Sequence, residues 1–234
     1  MAQLSKLKSK IKSKKNLEKI AIYQNFFKTG KGEYGEGDVF YGLTMPQQRL
    51  IVKQFTDLSL KDIQTLLNSK IHEERMISLL ILVDKYEKTK DSKLVKFYLK
   101  NAKRINNWDL VDVTAPKILG QYLSKTGANR RILYKLAKSK NLWEKRISII
   151  STLNFIRKNQ LTDTLKISRI LLSDKHDLIH KAVGWMLREL GKKDEKKLVK
   201  FLKENYNQLP RTTLRYAIER FSEKKRKRML IGKF

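Results

Sequence analysis

Apolar residues along the chain recur at intervals of three and four, and no stretch carries the sustained alternation of period two that marks hairpins. The pattern predicts helices almost throughout. Within it a longer unit repeats: short polar breaks near Lys70, Arg104, Lys140, Lys175 and Gln208 each precede a long amphipathic segment. These segments read HEERMISLLILVDKY, NNWDLVDVTAPKILGQYL, NLWEKRISIISTLNFIRK, HDLIHKAVGWMLREL and LPRTTLRYAIERF. Trp108 and Trp143 lie 35 residues apart, and Trp143 and Leu178 lie another 35 apart. Shorter partner helices are predicted over Leu60–Leu67, Ser92–Ala102, Arg130–Lys138, Asp163–Leu172 and Glu195–Asn205, completing five helix pairs. One pair cannot bury its own apolar face, so pairs must stack on their neighbours. The expectation is an all-α fold, an α-solenoid forming a single domain over residues 1–234, capped by an N-terminal helix and a helix over Pro46–Phe55.

Composition narrows the class. Of 234 residues 41% are hydrophobic, enough for a real core. Lys and Arg number 53 against 23 Asp and Glu, a formal charge of +30, which favours polyanionic partners. The basic ends, 1–15 and 223–234, read as mobile segments that add sequence-independent attraction to phosphate. The absence of cysteine excludes disulfides, thiol nucleophiles and zinc knuckles. No run resembles a signal peptide or a membrane span. A monomer in the cytoplasm, associated with the nucleoid and not with a membrane, is expected.

Two tempting motifs fail on context. Gly30-x-Gly32-x-x-Gly35 has the spacing of a dinucleotide fingerprint, but a helix precedes it instead of a strand, and Glu33, Glu36 and Asp38 would repel a pyrophosphate. His176 and His180 share a helix face at metal-ligand spacing. The only other histidine is His72, so neither a metal nor any other cofactor is expected. With no Gly-x-Ser-x-Gly elbow either, nucleophilic hydrolase chemistry is not expected.

More informative is Asn106-Asn107-Trp108-Asp109-Leu110-Val111-Asp112. Trp108 and Asp112 stand at i and i+4, so a ring and a carboxylate share one helix face. Pro116 lacks the N–H that would bond the carbonyl of Asp112, which predicts a break in the helix. In later repeats Trp143 precedes Arg146 by three residues, Lys181, Trp185 and Arg188 fall at i, i+4 and i+7, and Arg211 and Arg215 continue the series. Together with Lys145 these cations and indoles form the predicted strip for tracking phosphates. A carboxylate at Asp112 would weaken phosphate binding, which favours chemistry over affinity as its purpose.

On Trp108-Asp109-x-x-Asp112, Trp143-x-x-Arg146 and His180-Lys181-Ala182-Val183-Gly184-Trp185-Met186-Leu187-Arg188-Glu189, the sequence resembles the DNA alkylation repair enzymes of the AlkD type. These are bacterial glycosylases built from HEAT-like helical repeats, and the resemblance runs from Tyr23 to Phe221. It implies a monofunctional glycosylase that excises positively charged alkylated purines, such as 7-methylguanine and 3-methyladenine, from double-stranded DNA. It also implies that Trp108, Asp112 and Trp185 are the catalytic residues at the lesion and that Arg146 holds the DNA backbone. A further aromatic from the first helix is matched equally by Phe26 and Phe27.

The residue inventory suits that chemistry. A purine alkylated at N7 or N3 is already a cation and leaves without a general acid, so the scarcity of histidine is no obstacle. The sugar left behind is oxocarbenium-like, and a nearby carboxylate stabilises it. Ring faces of Trp108 and Trp185 attract the cationic base. Two other classes compete: a non-catalytic nucleic-acid-binding HEAT-repeat protein, which has no use for Asp112, and a scaffold binding other proteins.

Overall fold

Helical hairpins that repeat along the chain make up an all-α architecture, seen in a computed structural model that describes residues 2–125 and 129–234. Among the described residues the sole β interaction is an isolated bridge between Val39 and Ile71. Two compact units are distinguished, Met1–Leu110 and Val111–Phe234.

In the first unit the helices are α1 (Ala2–Lys12), α2 (Leu17–Phe26), α3 (Met45–Val52), α4 (Leu60–Leu67), α5 (His72–Thr89) and α6 (Ser92–Lys100), and the unit ends within α7 (Trp108–Thr114). Helix α5 is the spine. Its residues from His72 to Val83 are all buried, as expected for a helix that is apolar on most sides. Helices α1, α3, α4 and α6 pack against or beside it. Starts are set by short polar side chains that accept otherwise orphaned backbone N–H groups: Asn16 for α2, Ser59 for α4 and Asp91 for α6. The end of α5 is set by Lys90 in the left-handed conformation, φ 54°.

The basic N-terminus is helical over Ala2–Lys12, where a mobile segment is expected from the sequence. Leu7 and Ile11, four residues apart among the lysines, are fully buried and dock α1 onto α3 and α5. The pattern predicts a single N-terminal helix, whereas the chain has two, and Asn16 starts the second by accepting from the Lys19 backbone N–H at 3.0 Å. Between α2 and α3 the glycine-rich loop is pinned onto the start of α5. The buried carboxylate of Glu73 accepts from three successive backbone N–H groups, Tyr41 at 3.0 Å, Gly42 at 2.8 Å and Leu43 at 3.2 Å. Gly42 is required there, because its φ is 82° and a Cβ would stand 2.4 Å from the Asn16 carbonyl oxygen.

The second unit holds the rest of α7, then α8 (Gln121–Leu123), α9 (Arg131–Ala137), α10 (Leu142–Ser151), α11 (Leu153–Arg157), α12 (Thr162–Leu171), α13 (Asp177–Gly191), α14 (Glu195–Glu204), α15 (Arg211–Ala217) and α16 (Glu223–Leu230). The predicted break at Pro116 is realised as a π-turn over Pro116–Gly120, in which the Gly120 N–H reaches the Ala115 carbonyl at 2.9 Å. Carbonyls loosened by this turn are met from the following repeat. Ser151 Oγ donates to the Ala115 oxygen at 3.4 Å and Asn154 Nδ2 to the Pro116 oxygen at 3.1 Å. Helix α13 packs against α10 and α15. The basic C-terminal segment is likewise helical: Met229 of α16 is buried, and both Tyr206 Oη and the Arg211 guanidinium donate to the Leu230 carbonyl.

Candidate active site

In the first unit Trp108 opens α7 as a half-buried ring, its backbone N–H donating to Asn107 Oδ1 at 2.8 Å. Phe27 stacks on it with centroids 5.4 Å apart and planes 23° apart, and Phe26 meets it edge-on at 5.7 Å. These two aromatics, indistinguishable in sequence, have different environments. Phe27 is buried and continues the stack to Phe40, whereas Phe26 is 59% exposed. Phe26 is therefore the one presented to solvent beside the indole.

Beneath this stack lies a charge network that the sequence reading missed. His72 is 2% exposed and engages a carboxylate at each ring nitrogen, Asp38 from Nδ1 at 3.2 Å and Asp109 from Nε2 at 2.8 Å. Arg75 donates to both oxygens of Asp38 at 2.7 Å. The imidazole also stacks on Phe40, with centroids 4.7 Å apart, and lies 5.0 Å from Phe27. Burial opposes a charge on His72, yet Asp109 and Asp38 together raise its pKa to about 9, so it is an imidazolium at neutral pH. Burial would likewise push Asp38 up, but the hydrogen bond with His72 and the Arg75 guanidinium hold it below the usual carboxylate range. Two cations and two anions thus compensate one another. The usable signal was HEER, four ionisable residues opening a helix otherwise apolar on most sides.

In the second unit Asp112 and Arg146 form a bidentate pair. Arg146 Nε donates to Asp112 Oδ1 at 2.9 Å and its NH2 group to Oδ2 at 2.8 Å, while NH1 donates to the Leu178 carbonyl. The Arg146 side chain is 6% exposed and that of Asp112 is 16% exposed. Arg146 was expected to hold the DNA backbone. It is buried and makes these three hydrogen bonds, two to Asp112 and one to the Leu178 carbonyl. Trp143, in the same helix, is a core residue. Trp185 of α13 is half-buried and lines a cavity of about 230 Å³ with Leu153, Ile156, Arg157 and Glu189.

The other cations of the predicted strip are mostly engaged. Lys145 pairs with Asp174, Arg188 with Glu219, and Lys181 with Asp177 one turn earlier at 2.8 Å. Arg211 donates to the Leu230 carbonyl, and Arg215 is exposed. The histidine pair also has structural work. His176 caps α13, its Nδ1 accepting from the Leu178 N–H at 3.1 Å, and burial lowers its pKa so that the neutral ring this cap requires is favoured. His180 Nε2 bonds the Asp174 carbonyl at 2.5 Å.

The family model for DNA alkylation repair enzymes matches residues 7–221. A solved structure of a predicted DNA alkylation repair enzyme from Enterococcus faecalis is similar with a TM-score of 0.72 at 18% sequence identity, covering 90% of this chain and 98% of that one, a likeness of fold. Among curated proteins none matches.

Proposed function

The chain belongs to the DNA alkylation repair enzyme family, and from that premise we propose that it is a monofunctional DNA glycosylase that hydrolyses the N-glycosidic bond of cationic alkylated purines in duplex DNA. The observation that carries this reading is the Asp112–Arg146 pair. A family member that only bound nucleic acid would have no use for an anion, held rigidly and left partly open, amid so many cations.

The pairing suits the carboxylate to its task. Arg146 grips both oxygens of Asp112 and fixes the plane of the carboxylate. The carboxylate so oriented would face the positive charge that grows on the deoxyribose as the base departs, and would orient the water that attacks C1′. Because the alkylated base leaves as a neutral purine, no proton has to be delivered to it. Indole faces suited to a cationic base are present in each unit, Trp108 with Phe26 beside it in the first and Trp185 in the second, each such contact worth roughly 0.5–2 kcal/mol. Lys181, Arg211 and Arg215 supply contacts to DNA phosphates, and the protein acts as a monomer without a metal or other cofactor.

The test is release of free base from a duplex carrying 7-methylguanine, followed by chromatography, with EDTA present throughout. Release of the methylated purine with an intact abasic strand is expected. Strand cleavage without free base, or binding without release, would contradict the proposal.

A further inference from the structure

Helix α16 lies beyond the residues matched by the family model, which end at 221. It is nevertheless built into the second unit. Ser222 caps its start, accepting from the Lys225 N–H at 3.4 Å, and Met229 is buried beneath it. Lys225 reaches back to Glu195 at 2.5 Å and covers the Phe221 ring at 4.3 Å, and Tyr206 with Arg211 holds the terminal carbonyl of Leu230. A tail meant only to be solvated would need none of these anchors.

The docking of α16 against α15 leaves a cavity of about 300 Å³, walled by Ile218 and Leu230 and carrying Arg215, Arg226, Lys227, Glu219 and Glu223. The charges in it are not balanced. Glu223 is taken by Lys227 at 2.8 Å and Glu219 by Arg188. Arg215 and Arg226 have no side-chain partner among the described residues. Arg226 is half-buried, so part of its hydration is already stripped, which is costly for a cation unless an anion replaces the water. Two guanidiniums converging on one cleft with apolar walls match the planar, bidentate recognition of phosphate oxygens.

We propose that the α15–α16 cleft is a phosphodiester-binding site, by which a helix outside the family's matched core extends the footprint on duplex DNA. The proposal rests on the nucleic-acid part of the reading above, but not on the glycosylase step. Its test is therefore a binding measurement on undamaged duplex. The dependence of log K on log salt would be measured by fluorescence anisotropy for the wild type, Arg226→Gln, Arg215→Gln and Arg226→Lys, with Lys200→Gln of α14 as a control of equal charge change. Circular dichroism would verify that α16 persists in each. Each neutralised phosphate contributes about 0.9 to the slope. Both single Gln variants should lose about that much, while Arg226→Lys and Lys200→Gln should keep the wild-type slope. An unchanged slope in Arg226→Gln, or an equal loss in Lys200→Gln, would overturn the site, the latter because bulk charge alone would then explain the effect. Base release from a 7-methylguanine duplex, measured separately on the wild type, tells failure of this cleft from failure of the glycosylase reading: normal release with unmoved slopes condemns only the cleft.

Discussion

Asp112 and Arg146 are 34 positions apart, close to one repeat length, and on the proposed reading their pairing makes Arg146 a positioning group. Two consequences can be measured. Arg146→Lys keeps the charge but not the fork that grips both oxygens, so it should slow single-turnover excision by between about 10-fold and 10²-fold. The salt slope of DNA binding should stay where it is, because a guanidinium this buried neutralises no phosphate; a slope reduced by about 0.9 would restore it as a backbone contact. His72 gives the second consequence. Its pKa is raised when folded, to about 9 from the ordinary 6.5, so the stability it contributes is fully present below pH 6.5 and lost as pH rises toward 9. A raised pKa of this size corresponds to on the order of 3 kcal/mol. Urea midpoints measured from pH 6 to pH 10 should fall through that window in the wild type and stay nearly flat in His72→Gln; parallel curves would contradict the charged state assigned to the ring. Asp109 is bound into the same network, so Asp109→Asn should destabilise the first unit and cannot serve as a silent neighbour of Asp112.

At the scale of elements, the helices that were legible are those whose register is fixed by local chemistry. The α4 range was read without error, because Ser59 caps it and Leu60, Ile63, Leu66 and Leu67 fall on one stripe. The long second helices were legible as segments but not in their interruptions. Pro116 announced one break, whereas the separation of α10 from α11 at Thr152 has no comparable residue, and its hydroxyl simply turns back to the Ile149 carbonyl at 2.7 Å. Pairings between repeats were missed although a rule was available: opposite charges about one repeat apart become lateral neighbours, as in Arg130 with Asp163 and Arg188 with Glu219. Close approach between helices was equally hidden. Gly184 lets α13 lie against α15, where an added Cβ would stand 2.5 Å from the Tyr216 Cβ and 2.7 Å from the Thr213 carbonyl oxygen. Gly184→Ala should therefore lower stability by about 1–3 kcal/mol, read as a lower urea midpoint, and a stabilised protein would show that the two helices separate freely.

For the molecule as a whole, the +30 charge marked a polyanion as partner, but a count says nothing of which cations are already paired. Several cations singled out by spacing form internal pairs, while Arg226, in a segment expected to be mobile, is half-buried and lines a cavity. What distinguishes a repair enzyme from a mere binder is one carboxylate. An anion among phosphates costs affinity at all times and helps only while the glycosidic bond breaks, so its value lies in the transition state. The most direct measurement is the single-turnover rate of 7-methylguanine release at saturating protein, wild type against Asp112→Asn, with thermal unfolding recorded because the variant leaves Arg146 short of its counter-charge. A folded variant is expected that binds the duplex at least as tightly and excises about 10²–10³-fold more slowly. A folded Asp112→Asn that releases the base within about threefold of the wild-type rate would contradict that expectation, since losing one preorganised electrostatic contact should cost far more.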